Sequence, residues 1–178
     1  MTAPRGRGAF PRLPRFLILG LAPLLFAAAA PAQHTQAYVF AGSSTIPGPT
    51  AYTYWHGSYL HAGGGGEGGI GKRFTVGGEA GLLVSTASTD GRNAGVLSVG
   101  PAFHFFSRDG RKLDPFVAAG FSLLVSTGAG GMGYFGGGAN YWFHRRIGLR
   151  LEFRDHVWSP ESGEVLHFVG GRFGICFR

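Results

Sequence analysis

The chain has 178 residues, a formal net charge of +7 from 16 basic and 9 acidic side chains, 33 glycines and a single cysteine. The glycines follow no period of three and 44% of the residues are hydrophobic, which excludes collagen-like and disordered classes. Cys176 alone cannot form an intramolecular disulfide.

The first segment reads as a leader rather than as part of the fold. Arg5, Arg7, Arg12 and Arg15 precede an apolar run over residues 16–30, which Pro23 interrupts and which is too short for a comfortable membrane span. Ala30-Pro31-Ala32 then offers the small-x-small site that a signal peptidase needs. A cleavable signal peptide over 1–32 is therefore expected, with one domain over 33–178 that starts at Gln33. An uncleaved anchor helix is the alternative. A lipoprotein anchor is not expected, because no cysteine follows the apolar run. Without the four leader arginines the balance is 12 basic against 9 acidic (16 − 4 = 12), or +3, so the charge does not point to a nucleic-acid partner.

Beyond the leader, no stretch keeps a helical apolar period with caps over three turns. Stretches of roughly ten residues that alternate apolar with small or polar side chains recur instead, bounded by Gly, Asp, Asn, Ser or charged clusters. Eight are expected, near 37–44, 58–70, 74–86, 95–107, 115–126, 133–144, 148–158 and 165–177. Their even number and their length suit strands that cross a bilayer at a tilt. The connections tend to alternate. Longer ones are read at 44–55, which ends in Tyr52, Tyr54 and Trp55, and at 87–94, 127–132 and 159–164. Shorter ones are Gly71-Lys72-Arg73 and Arg145-Arg146-Ile147, while 108–114 is no shorter than two of the loops. This pattern favours an antiparallel up-and-down meander.

The seventh stretch best defines the two faces. Leu149, Leu151, Phe153 and Val157 share one parity, and Arg150, Glu152, Arg154 and His156 share the other. The third stretch sets Phe74, Val76, Ala80, Leu82 and Val84 against Thr75, Gly77, Glu79, Gly81 and Ser85. The fifth and eighth behave alike, with Arg172 on the polar parity of the eighth. A soluble sandwich would bury the apolar parity, whereas a membrane barrel turns it to lipid and keeps polar groups in the lumen. Glu67, Glu79 and Glu152 are matched in number by Arg150, Arg154 and Arg172, which suits a shared lumen where burial requires pairing. Two places resist. The facing of the second stretch rests on Glu67 alone, and Asp155 falls on the lipid parity, so it is expected near the outer interface or at a bulge.

The glycine-rich segment 63–69, the segment Phe135-Gly-Gly-Gly-Ala-Asn-Tyr-Trp-Phe143 and the segment Gly148-Leu-Arg-Leu-Glu-Phe-Arg-Asp155 resemble the small outer-membrane β-barrel family typified by the OmpA transmembrane domain and OmpX. The resemblance covers 33–178. It implies an all-β, eight-stranded antiparallel transmembrane barrel in a Gram-negative-type outer membrane, contacts with membrane lipid, and insertion by the outer-membrane assembly machinery. Family members usually end in an aromatic residue, whereas here Phe177 is penultimate and Arg178 follows.

An eight-stranded barrel is narrow enough for side chains to fill it, so a structural or loop-mediated role is expected rather than an open pore. Tyr52, Tyr54 and Trp55 are the candidate loop contacts, although an interfacial aromatic girdle accounts for them more simply. Some barrels of this membrane deacylate lipid A with a Ser-His-acid arrangement. His156, Ser159 and Glu161 or Glu164 are the residues that such an enzyme would use here, but His156 has lumen parity. A third alternative is a soluble periplasmic barrel that binds an apolar ligand. The run Gly63–Gly66 with Glu67 precedes no helix and is not read as a phosphate cradle. The seven histidines lack HxxxH or HxH spacing, so neither a metal nor another cofactor is expected.

Overall fold

The computed structural model describes residues 35–47, 57–86, 93–106, 111–126, 129–159 and 165–178. The expected leader 1–32 and the candidate contacts Tyr52, Tyr54 and Trp55 lie outside the described residues. The described chain forms eight strands: β1 (Gln36–Ile46), β2 (Gly57–Gly69), β3 (Phe74–Ser85), β4 (Ala94–His104), β5 (Leu113–Val125), β6 (Ala129–Trp142), β7 (Ile147–Trp158) and β8 (Leu166–Phe177). Each pairs antiparallel with its sequence neighbours, and β1 pairs with β8, so the sheet closes in the order β1 to β8. Closure leaves no strand edge unpaired.

The faces follow the period of two. In β7, Leu149, Leu151 and Phe153 are 50%, 64% and 57% exposed, while the intervening Arg150, Glu152 and Arg154 are 4% exposed. Outward-facing Val76, Leu82, Val117, Phe121, Phe173 and Ile175 extend the apolar belt around the barrel. Strand β2, ambiguous in sequence, turns Tyr59, His61 and Glu67 inward and leaves Leu60 exposed. Ala80 departs from the pattern, since it is covered despite its outward parity.

Several strand limits differ from the sequence reading, among them the end of β4, which stops at His104 and not at 107, and the starts of β6 and β5. Strand β6 starts at Ala129 and not at 133, so the connection read as 127–132 shrinks to 126–128. Gly130 and Gly131 look like loop residues in sequence, but aromatic rings pack over both. A Cβ on Gly130 would lie 3.1 Å from Trp158 Nε1, and one on Gly131 would lie 2.8 Å from Phe121 Cζ. Strand β5 likewise begins at Leu113, where Asp114 and Pro115 pair with Asn140 and Ala139. At Asp155 the β6–β7 and β7–β8 registers both run through without interruption, so there is no bulge.

Inward glycines make room for large side chains. A Cβ on Gly100 would run into the Ala119 carbonyl oxygen and stand 2.6 Å from Tyr134 Oη, and one on Gly120 would run into the Val99 carbonyl oxygen and stand 2.8 Å from Tyr134 Cε1. The Tyr134 ring thus occupies space that side chains on β4 and β5 would otherwise need. Gly120→Val is expected to destabilise the barrel by roughly 1–3 kcal/mol through overpacking. A matching fall in the urea midpoint of the folded protein in detergent checks this; adding Tyr134→Ala should recover only part of it, because the Val99 carbonyl still meets the new side chain.

Candidate functional site in the barrel lumen

The alternation of β7 places Arg150, Glu152 and Arg154 one above another inside the barrel, and Arg172 stands beside Glu152 in the β7–β8 register. Glu67 of β2 and Glu79 of β3 approach from the opposite wall. The structure brings all six together. Arg150 reaches Glu67 at 3.2 Å and Glu152 at 3.0 Å. Arg154 reaches Glu79 and Glu152, each at 2.6 Å. Arg172 reaches Glu79 at 2.8 Å and Glu152 at 2.9 Å. Glu152 therefore touches all three guanidiniums, and each guanidinium touches two carboxylates.

Aromatic rings complete the cage. The Arg150 guanidinium lies 4.4 Å from the Tyr38 ring centroid and 4.0 Å from that of Phe116. Arg154 lies over Tyr134 at 4.2 Å and Arg172 over Phe40 at 4.2 Å. A ring face carries negative potential and costs little desolvation, so it complements a cation whose edges are already bonded to carboxylates. The sequence reading missed these rings. Their signal was present: Tyr38 and Phe40 share the parity of Gln36, and Phe116 that of Asp114.

The lumen is layered along its axis. At the end where β1 starts and β8 finishes, His104 Nδ1 lies 2.9 Å from Asp114, and Asn140 donates to Asp114 at 3.3 Å. Gln36 and Thr75 both donate to Glu67, which joins this layer to the ion network. Tyr38 donates to Glu79 at 3.1 Å. Beyond the network, His61 packs edge-on against Phe40 at 5.0 Å, and His156 lies 5.8 Å from the Tyr134 ring. At the opposite end the inward positions turn apolar, with Ile46, Tyr59, Leu83, Val96, Leu124, Met132, Leu166 and Phe168 in one buried cluster. This cluster was also missed. Leu83 and Leu124 lie on parities that are mostly small or polar, and only closure of the barrel reveals that they converge. Beside Tyr38, Glu79, Arg150 and Arg154 a cavity of about 20 Å³ remains, room for about one water.

His156 and Ser159 do not form a catalytic pair. The His156 ring is buried in the lumen and its Nε2 has no hydrogen-bond partner. Glu161 and Glu164 lie outside the described residues. A different histidine meets a carboxylate on the outer wall, where His167 Nδ1 lies 2.7 Å from Asp155 Oδ2. Asp155 is only 7% exposed, so this pairing accounts for a carboxylate on the apolar parity. Among the described residues, no serine or threonine hydroxyl is hydrogen-bonded to His167.

Architecture and lumen together define a closed eight-stranded up-and-down barrel with an apolar outer wall and a charged interior. The same fold occurs in the N-terminal β-barrel domain of Pseudomonas aeruginosa OprF, at a TM-score of 0.55 and 17% identity over 80% of this chain and 96% of that one. It also occurs in Neisserial surface protein A, at a TM-score of 0.56 and 11% identity over 80% of this chain and 96% of that one. These are likenesses of fold. No protein-family model and no curated protein matches the chain.

Removing Glu152 strips a carboxylate from three buried guanidiniums at once. Glu152→Ala is expected to cost roughly 3–5 kcal/mol, because it leaves buried charge uncompensated. Replacing one outward belt residue, as in Leu151→Ala, should cost clearly less. Urea titration of folded barrels in detergent, read on a gel without boiling, compares the two.

Proposed function

We propose that the chain is an integral outer-membrane β-barrel protein whose lumen is occluded and whose role is structural or carried by its loops. The observation that carries this reading is the inversion of polarity between wall and interior. Phe153, Leu151 and Phe173 are more than half exposed, whereas the six charged residues of the ion network are each 4–7% exposed. Water would leave the apolar belt unsatisfied, and lipid satisfies it. Strands of 11 to 14 residues support the same reading. At about 3.3 Å per residue and a tilt near 40° they rise roughly 28–35 Å, enough for the hydrocarbon core. The fold of the OprF domain and of Neisserial surface protein A agrees with an outer-membrane location. In this reading residues 1–32 are the leader that directs export, the assembly machinery inserts the barrel, and the end where β1 starts and β8 finishes faces the periplasm.

The interior favours occlusion over conduction. Paired charges fill the middle of the lumen and the apolar cluster around Met132 and Phe168 fills one end. The same filling disfavours an apolar-ligand barrel, which needs an empty interior pocket.

Membrane fractionation is the direct test. The protein is expected in the outer-membrane fraction, released by detergent and not by high salt, starting at Gln33, and migrating faster on a gel before boiling than after. Recovery as a detergent-free soluble protein would contradict the reading. In planar bilayers the wild type should show little conductance, and steady open-channel currents from it would contradict the occluded lumen.

A further inference from the structure

Among the described residues every side-chain carboxylate is buried: Glu67, Glu79, Asp114, Glu152 and Asp155. Among the described residues, the exposed Lys and Arg side chains lie at one end of the barrel. Lys72 and Arg73 belong to the turn between β2 and β3, Arg111 and Lys112 immediately precede β5, and Arg145 and Arg146 form part of the turn between β6 and β7. Arg178 follows β8 and lies over the Trp142 ring at 4.2 Å. Because the strands close in sequence order, these groups recur at every second strand, forming a ring around the rim and not a patch on one side. Among the described residues, none of the six turn cations makes an ion pair.

Each basic group adjoins an exposed apolar residue that begins the belt: Arg73 with Phe74, Lys112 with Leu113, Arg146 with Ile147 and Arg178 with Phe177. One residue along a strand is about 3.3 Å. The cations therefore stand where hydrocarbon gives way to headgroups if the belt is in lipid. An acidic protein would dock on one face or across the mouth, and would leave part of such a ring unused. A lipid annulus touches the whole circumference.

We propose that this ring binds the phosphates of anionic phospholipids in the leaflet at the end of the barrel that carries it. The proposal rests on the reading that the barrel spans a membrane. The test uses the folded barrel in phosphatidylcholine vesicles with and without spin-labelled phosphatidylglycerol, the label reporting lipid at the protein surface. Phosphatidylglycerol should be enriched there over labelled phosphatidylcholine by about fivefold, the factor that one basic side chain near an anionic surface supplies, and high salt should remove the preference. A variant with Lys72, Arg73, Arg111, Lys112, Arg145 and Arg146 all changed to Gln should lose the preference. The smaller Arg145→Gln/Arg146→Gln variant should weaken it and serves if the larger one does not fold. Equal partition of the two lipids in the wild type, or enrichment that survives these substitutions, would overturn the proposal. Binding of poly-glutamate to the detergent-solubilised barrel without any lipid preference would assign the ring to an acidic protein and also overturn it. Failure of the wild type to enter phosphatidylcholine vesicles at all would instead overturn the membrane-spanning reading beneath it.

Discussion

The structure depends on the pairing of three glutamates with three arginines inside a closed sheet. A charge moved from water into a narrow interior loses several kcal/mol of hydration, and it regains this only through close opposite charges with their remaining hydrogen-bond sites filled. Glu152 meets this condition by touching Arg150, Arg154 and Arg172. Glu67 and Glu79 tie these β7 and β8 arginines to the opposite wall. The network therefore stitches β2 and β3 to β7 and β8 across the lumen. It also opposes a one-residue slip of any of these strands, since a slip would carry its charges to the apolar wall.

The rest of the interior follows from that central layer. Rings of Tyr38, Phe40, Phe116 and Tyr134 cover the guanidinium faces, and glycines such as Gly100 and Gly120 give the Tyr134 ring its space. The two ends differ. One carries the His104–Asp114–Asn140 layer and, outside it, the ring of cations. The other is packed with aliphatic and aromatic groups. In the proposed reading, the occluded barrel leaves its outer wall, its rim and its loops as working surfaces.

Much of this was legible in the sequence. Alternation in β7 and β3, uninterrupted and of clear contrast, identified the two faces, and turn residues marked most strand ends. Legibility failed where a residue's meaning depends on distant neighbours. Gly130 and Gly131 carry turn chemistry locally and become strand because Trp158 and Phe121 pack over them. Asp155 contradicts its own strand's parity and is explained only by His167 of β8, twelve residues away. The apolar cluster at one end draws on residues from seven of the eight strands, and no local period encodes such a convergence. His156 was read correctly as inward, yet its neighbours His61 and Tyr134 come from other strands and left no trace in the local pattern.

The central claim is that the apolar wall meets lipid while the charges stay inside. The most direct measurement places a nitroxide label at Leu151→Cys in a Cys176→Ser background, in vesicles, and compares collisions with oxygen and with a water-soluble nickel complex. Leu151 is 64% exposed and its neighbours in the ladder, Ala139 and Phe173, share its face. The account predicts high collision with oxygen, which concentrates in the bilayer, and little with nickel. High accessibility to nickel with little to oxygen would mean that the wall faces water, and would contradict the account.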